Sequence, residues 1–387
     1  MKRVGIGLVG CGRRLRRVYT QMRAYSDAIE VVALCDPDPK ALSEAQALVG
    51  GRVRIYAEAR LLAQDPQVQW VFIGSWNAFH AEQVLAALEA GKDVYCEKPL
   101  ALDLESCLRI QSLLLRSARQ LVMGFTLRHA PHFKRIKAVL DEGLLGQVLS
   151  LEFNDMLHFQ HGALIHSSWR RHTQLAGPYI LEKSCHDLDI IQWLVGNHVM
   201  RVASFGGTRF FIPAQQYHRA RVGVDAQGVP AYRHPDDPDA PDPFTSDKDI
   251  VDHQVTILEF ANGVRATFHL NCHSTIPERR LYVCGSEGTL RADLQQGIVE
   301  VERVGFRSER MRFETAEGGS HGGGDVALGH SLARTLLENE PPSSGFSQGL
   351  NSTLVCLGIE AARQRGQVMD LRPWWKAAGI NVEEVLR

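Results

Sequence analysis

Short apolar runs alternate with amphipathic stretches through the first third of the chain. Residues 3–9 form one such run and end at Gly10-Cys11-Gly12; a helical pattern continues to about Tyr25, and Glu30-Val31-Val32-Ala33-Leu34-Cys35 then stops at Asp36-Pro37. That order is a strand–helix–strand unit. It repeats as helix 38–49, strand 68–74, helix 77–91, strand 93–97, helix 104–119 and strand 120–124. Repeated β-then-α order predicts a parallel sheet covered by helices on both faces. After Gly146 the texture changes: 148–154, 201–211, 252–261, 264–272, 279–285 and 289–294 read as strands with few helices between them. Asn262-Gly263 between two of these runs predicts a hairpin in which both turn residues take φ > 0.

The pattern therefore predicts two domains, 1–124 and 125–387, with the boundary near 124–147. The first is an α/β dinucleotide-binding fold. The second is an α+β domain with a large, mostly antiparallel open sheet and helices on one face; its final helices, 326–337 and 345–365, are expected to pack back toward the first domain. Between Pro213 and Ile250 lie six of the sixteen prolines and a cluster of aspartates. No regular element is expected there, and the segment reads as a solvated insertion. The glycine-rich stretch 318–325 reads as a flexible connection rather than an anion-binding nest, because no strand precedes it.

Composition narrows the function. At 387 residues, two or three domains are expected. Lys plus Arg, 43, nearly balance Asp plus Glu, 44, which disfavours a nucleic-acid scaffold or a polybasic membrane binder. No stretch approaches the roughly 20 apolar residues that cross a bilayer, and the first residues run straight into a strand without a signal-peptide pattern. Eight cysteines occur without a C-x-x-C pair, so a reduced cytoplasmic protein without a zinc ribbon is expected. Of the sixteen histidines, none makes an H-x-x-x-H or H-E-x-x-H pattern on a predicted helix, and His158 and His161 form one close pair; no metal is expected.

A dinucleotide needs its pyrophosphate against backbone N–H groups at a helix amino end, where glycine lets the chain pass closely. Gly10 and Gly12 are placed for this. The literal G-x-G-x-x-G at Gly5, Gly7 and Gly10 lies largely inside the strand, so the working frame is Gly10-x-Gly12-x-x-Leu15. Leucine at the third position predicts looser packing of that helix on the sheet. Asp36, at the end of the second strand, suits ribose hydroxyls and repels a 2′-phosphate, favouring NAD over NADP. Arg13 and Arg14 could bind either the pyrophosphate or a 2′-phosphate, which keeps NADP open.

Two motifs then become specific. Trp76-Asn77-Ala78-Phe79-His80 starts a helix after a strand, and Val94-Tyr95-Cys96-Glu97-Lys98-Pro99-Leu100 ends the next strand, preceded by Ala87-x-x-Ala90-Gly91-Lys92. This pattern resembles the Gfo/Idh/MocA oxidoreductases over nearly the whole chain. The resemblance implies hydride transfer between a sugar, inositol or related polyol and NAD or NADP, and assembly into a homodimer or homotetramer. It places Ser75, Asn77, His80, Glu97 and Lys98 on the cofactor side. Independently of it, a lysine at the carboxyl end of a parallel strand points into the ligand crevice, and Pro99 restricts Lys98 to extended backbone. A cation there would stabilise the alkoxide that develops as hydride leaves.

In the segment 177–194, Glu182 and His186 are i and i+4 on a helix with Asp189 and Trp193 on the same face, while Ser184, Leu188, Ile191 and Val195 cover the other. Histidine suits proton abstraction near neutral pH, and a carboxylate one turn away can orient it. The resemblance matches His186 to the family's general base, sets Glu182 where an aspartate is usual, and suggests Lys183 as an additional substrate contact. Arg128, Asn154, His158, Trp169 and Arg170 complete the candidate substrate-binding groups, suited to a hydroxylated or carboxylated ring. Two rivals share these motifs: an NAD-dependent glycosidase using transient oxidation, and a catalytically silent nicotinamide-binding regulator.

Overall fold

The computed structural model describes residues 3–233, 237, 239–316 and 320–383. The elements run β1 (Val4–Val9), α1 (Arg13–Tyr25), β2 (Ile29–Cys35), α2 (Pro39–Val49), β3 (Arg54–Ile55), α3 (Ala59–Gln64), β4 (Trp70–Ile73), α4 (His80–Glu89), β5 (Asp93–Cys96), α5 (Leu104–Ser117), β6 (Leu121–Met123) and α6 (Pro131–Asp141). They continue with β7 (Val148–His158), α7 (Phe159–Ser167), α8 (Thr173–Ala176), α9 (Tyr179–Val195), β8 (Val199–Gly207), α10 (His218–Val222), β9 (His253–Phe260), β10 (Arg265–Ser274), β11 (Arg280–Gly285), β12 (Gly288–Asp293), β13 (Ile298–Arg303) and β14 (Arg310–Glu314). Then follow α11 (Gly324–Glu338), α12 (Phe346–Arg365), β15 (Met369–Asp370) and α13 (Arg372–Ala377). Two compact units result, one formed by 1–133 with 317–353 and the other by 134–316 with 354–387.

In the first unit six parallel strands pair in the order β3-β2-β1-β4-β5-β6. This is the doubly wound dinucleotide order, and its strand order reverses between β1 and β4, where ligands of such sheets bind. Helix α1 presents Leu15, Val18, Tyr19 and Met22, an i, i+3, i+4, i+7 stripe, to the core. Leu328, Leu332, Ala333 and Leu336 of α11 join the same core. Gly329 allows the close approach of α11 to α1, since a Cβ there would fall 2.3 Å from that of Gln21. That packing is why 317–353, read from the sequence as part of the second domain, groups with the first unit.

The leucine at the third fingerprint position does not loosen the helix. Leu15 is buried, and a Cβ on Gly74 would meet its Cγ at 2.6 Å. The glycine that keeps helix and sheet close has moved from the helix to the strand end.

In the second unit nine strands pair in the order β14-β13-β12-β11-β7-β10-β9-β8-β15, all antiparallel except β7 with β10. Along β9, Gln254, Thr256, Leu258 and Phe260 are buried while Val255 and Ile257 are exposed, so one face is covered and the other open. The β9–β10 hairpin forms at Asn262-Gly263, but with a different turn from the one expected. Gly263 alone takes positive φ, +84°, its N–H donates to Phe260 O at 3.0 Å, and Phe260 N–H donates to Val264 O at 2.9 Å. A longer loop closed by a single left-handed glycine replaces the two-residue turn.

The segment 213–250 corrects another expectation. It holds α10, and Tyr232 and Phe244 are buried against each other and against Phe210 and Phe211, with ring centroids 5.2–6.3 Å apart. Aromatic burial anchors this part of the segment even though its composition is polar; His234, Pro235, Asp236 and Pro238 lie outside the described residues. In the glycine-rich stretch, 320–323 form a tight turn leading into α11, while 317–319 are likewise outside the described residues.

Candidate functional site

Each unit contributes its own set of polar groups. In the first, Gly10 has φ +83°, its N–H donates to Cys35 O at 2.9 Å, and a Cβ there would fall 2.4 Å from Ser75 N. The loop thus lies flush against the β4–α4 connection, which only glycine permits. Gly12 precedes α1 without any side-chain cap, and a Cβ at that position would meet nothing within 4 Å. Open space before an uncapped helix amino end fits an anion. Asp36 stands at the end of β2, its carboxylate accepting from Cys11 N–H at 2.6 Å and Asp38 N–H at 2.8 Å. Those two bonds shape the glycine loop and leave acceptor capacity for hydroxyl groups. The loop, its open helix amino end and the Asp36 carboxylate therefore fit a dinucleotide.

Other residues assigned from the sequence to the cofactor side divide by what they touch. Arg13 is exposed on the first turn of α1. Ser75 Oγ donates to Gln83 Oε1 at 2.7 Å, and Asn77 is buried at the start of a 3₁₀ turn. His80 is fully buried, with Nδ1 2.7 Å from Pro99 O and Nε2 3.2 Å from Ser75 O. Burial holds its pKa below the usual value. A neutral ring donates from one nitrogen only, and the shorter distance assigns that donor to Nδ1. His80, at the start of α4, therefore bonds the backbone just past the end of β5. Lys98 is partly buried just past β5, and its bond to Pro99 is cis.

Glu97 is buried and accepts from Tyr95 Oη and from Arg14 Nε, both at 2.6 Å on Oε1. Burial and the neighbouring carboxylate push the Tyr95 hydroxyl far above its ordinary pKa, so it remains a donor. Arg14 also donates to Asp325 Oδ1 at 2.5 Å and Thr126 Oγ1 at 2.6 Å. Both residues, assigned to cofactor binding from the sequence, make these contacts with protein groups. Thr126, Asp325 and Tyr95 carried no sequence signal tying them to this site. Arg128, buried in the 3₁₀ turn Thr126–His129, donates to Ser343 O at 3.4 Å.

In the second unit α9 carries the other candidates. The expected division into a polar and a packing face does not hold: Glu182, Ser184, His186, Asp187, Leu188, Asp189 and Ile191 are all buried. A helix enclosed all round must pair its charges. Glu182 accepts from Arg170 Nε at 3.0 Å, and Arg170 in turn lies over the Trp169 ring, 4.7 Å from its centroid. Lys183 Nζ is 3.6 Å from Asp155 Oδ2. Arg279 is buried between two acids, with Nη2 3.1 Å from Asp155 Oδ2 and Nε 2.9 Å from Asp187 Oδ1. Burial alone would raise the Asp155 pKa; the Arg279 guanidinium and then the Lys183 ammonium outweigh it and hold the carboxyl below its usual range.

His161 lies among Lys183, Asp155, Glu182 and Arg170, open to solvent on one side. Loss of hydration against the protein, followed by the Lys183 charge, lowers its pKa to about 4. Asn154 uses its amide within the sheet, donating to Glu278 Oε1 at 2.8 Å and accepting from Arg280 N–H at 2.9 Å. His158 caps α7, its Nδ1 accepting from Gln160 N–H at 3.3 Å. The sequence reading missed Asp155, Asp187 and Arg279. The available clue was Asp187, an acid one residue from His186 on a helix otherwise rich in apolar groups, where burial would demand a cation.

A six-stranded parallel sheet of this order, a glycine loop with a carboxylate at the next strand end, and a lysine on the sheet's carboxyl edge define an oxidoreductase of the dinucleotide-binding class. Residues 4–125 match the model of the oxidoreductase family with an NAD-binding Rossmann fold, and residues 133–291 match the GFO/IDH/MocA C-terminal domain. The chain belongs to the Gfo/Idh/MocA oxidoreductase family. It is 29% identical over 282 residues to inositol 2-dehydrogenase of Ralstonia nicotianae, covering 69% of this chain and 67% of that one. It is 32% identical over 216 residues to inositol 2-dehydrogenase/D-chiro-inositol 3-dehydrogenase of Lactiplantibacillus plantarum, covering 56% of each. Across such relatives the matched region spans from 54% to 67% of their length. Among solved structures, levoglucosan dehydrogenase in complex with NADH and levoglucosan superposes with a TM-score of 0.77 at 20% identity, covering 96% of this chain and 100% of that one. Aldose-aldose oxidoreductase from Caulobacter crescentus, complexed with glycerol, superposes with a TM-score of 0.73 at 20% identity, covering 95% and 100%. At these identities the likeness is one of fold. Among the described residues no helix is long and apolar enough to cross a membrane, and no group of three His, Cys, Asp or Glu side chains could hold a metal ion.

Proposed function

We propose that the chain is an NAD(P)-dependent dehydrogenase that oxidises a CH–OH group of a sugar, inositol or related polyol, with NAD preferred. The observation that carries this reading is Lys98 at the carboxyl edge of the parallel sheet, in the unit whose uncapped α1 amino end and Asp36 fit the dinucleotide. Lys98 donates to the reacting hydroxyl, lowers its pKa and stabilises the alkoxide. His186 takes the hydroxyl proton as general base. Arg170 and Asp155 hold Glu182 and Lys183 by ion pairs, so that both present fixed partners to the polyol's other hydroxyls. Bound nicotinamide supplies the hydride acceptor.

The names of the relatives and structural neighbours, inositol and levoglucosan dehydrogenases, support this substrate class. The test is a panel of inositols, sugars and sugar acids, each with NAD and with NADP, followed by reduced-nicotinamide absorbance. Substrate-dependent reduction is expected with a neutral polyol. Cleavage of an aryl glycoside without net reduction would replace this reading by the glycosidase, and binding of NAD with no turnover of any kind by the regulator.

We also infer that copies associate through the open face of the nine-stranded sheet. Exposed Phe205 and Val255 are directly paired across β8 and β9, with exposed Ile257 beside them and exposed Tyr282 on β11. Exposed apolar side chains gathered on one sheet face favour a partner of the same kind. Sedimentation of Ile257→Glu should show smaller particles than the unsubstituted protein.

A further inference from the structure

Arg14 occupies the turn directly after the glycine loop, where a guanidinium is expected to reach for phosphate. Its planar fork instead meets three acceptors from three separate segments: Glu97 at the end of β5, Thr126 after β6, and Asp325 in the first turn of α11. Both carboxylates are nearly enclosed, with side chains 8% and 6% exposed. Tyr95 Oη donates to the same Glu97 oxygen that Arg14 holds. On the far side the absence of a side chain at Gly124 makes the room, since a Cβ there would fall 2.9 Å from Glu97 Oε2. Glu97 is therefore walled in by a phenol, a glycine and a guanidinium, and Lys98 is the next residue. Asp325 has further neighbours, the Arg17 guanidinium with Nε at 3.4 Å and the His321 ring with Nδ1 at 3.2 Å. Turning Arg14 wholly toward a phosphate would take its charge away from two buried carboxylates, Glu97 and Asp325.

We propose that Arg14 is a positioning residue: it fixes Glu97, and through it the backbone that carries Lys98, instead of binding the cofactor's phosphates. The assignment rests on the dehydrogenase reading in one respect, that the direction of Lys98 governs turnover. It makes the glycine loop and the lysine loop one rigid piece, because the same side chain belongs to the first turn of α1 and bonds the end of β5. Arginine suits this task where lysine does not, since only a fork reaches three acceptors at once.

The experiment compares Arg14→Met, Arg14→Lys, Glu97→Gln and the double variant R14M/E97Q with the unsubstituted enzyme. NADH affinity is read by its fluorescence on binding, and kcat and KM on whichever polyol the panel selects. Arg14→Met should leave the NADH Kd within about threefold while kcat falls about tenfold or more, and the double variant should lose no more than the worse single one, as for groups acting through each other. Arg14→Lys should recover part of kcat; if Arg14→Met does not fold, the same split between Kd and kcat is read on Arg14→Lys. A tenfold rise in NADH Kd with kcat unchanged at saturation, or losses that simply multiply in the double variant, would overturn the proposal. Absence of turnover by the unsubstituted enzyme would sink the dehydrogenase reading alone, and the double-variant cycle would then be read on thermal unfolding, where additive losses overturn the Arg14–Glu97 pairing.

Discussion

The two units build their polar groups by opposite means. In the first, the groups expected to meet a ligand arise from a few consecutive residues at strand ends: Gly10 to Gly12 after β1, Asp36 after β2, Ser75 to His80 after β4 and Glu97 to Pro99 after β5. Backbone hydrogen bonds and glycine geometry place most of them, Glu97 with its Arg14 contact being the exception. In the second unit the groups on α9 are placed by side-chain ion pairs, Glu182 by Arg170, Lys183 by Asp155 and Asp187 by Arg279. A site assembled from loops tolerates change outside the loops, whereas one assembled from buried ion pairs fails when any member is lost.

The strongest way to break this contrast is to remove one charge from the buried cluster. Asp187→Asn leaves Arg279 with a single carboxylate and should cost about 3–5 kcal/mol of stability. Urea unfolding should show the loss, and an unchanged midpoint would mean that the cluster does not hold α9. Lys98→Met on the first unit should behave differently, lowering kcat by about 10²–10³-fold while leaving unfolding and NADH binding nearly unaltered. Retained turnover would remove Lys98 from the mechanism.

His132 sharpens the comparison from the stability side. It is buried in the first unit with its pKa lowered to about 4 by burial, against 6.5 for an exposed imidazole. Between those values the unfolded chain binds the proton and the folded chain does not, so stability is full above about pH 6.5 and falls as pH drops toward 4. The loss attributable to this residue should approach roughly 3 kcal/mol, and His132→Gln should flatten that part of the profile in urea titrations. A slope unchanged by the substitution would assign the effect elsewhere. The smallest effect is expected at the exchanged packing pair. Gly74→Ala should cost about 1–3 kcal/mol by overpacking Leu15, and adding Leu15→Val should recover part of it; no recovery would mean that the two positions are not in exchange.

The same contrast explains what could be read before any coordinates. The parallel sheet and its glycine loop were legible because each strand is a short apolar run with a turn signal at its end, and because the residues involved are neighbours in the chain. The strands Ile298–Arg303 and Arg310–Glu314 were not legible. They are short and rich in arginine and glutamate, which pair across the ladder, as Arg310 does with Glu302 at 2.9 Å, and Val299 and Val301 are their buried apolar positions. Burial in 213–250 was hidden because Tyr232 and Phe244 stand singly among prolines and aspartates. Arg14 was assigned by proximity to the glycine loop; its actual acceptors include Asp325, more than three hundred residues further on. Arg279 was silent for the same reason, since neither of its acids is near it in sequence.

The packing of α11 onto α1 has a consequence for how the protein is made. Leu15, Val18 and Met22 need a cover that includes residues 328–336, yet the ribosome must first produce the entire stretch 134–316. At ordinary elongation rates that interval lasts roughly ten to forty seconds. For that time the nascent first unit lacks part of the cover over its greasy stripe, and a cell making this protein must keep it from sticking to others until the chain has doubled back.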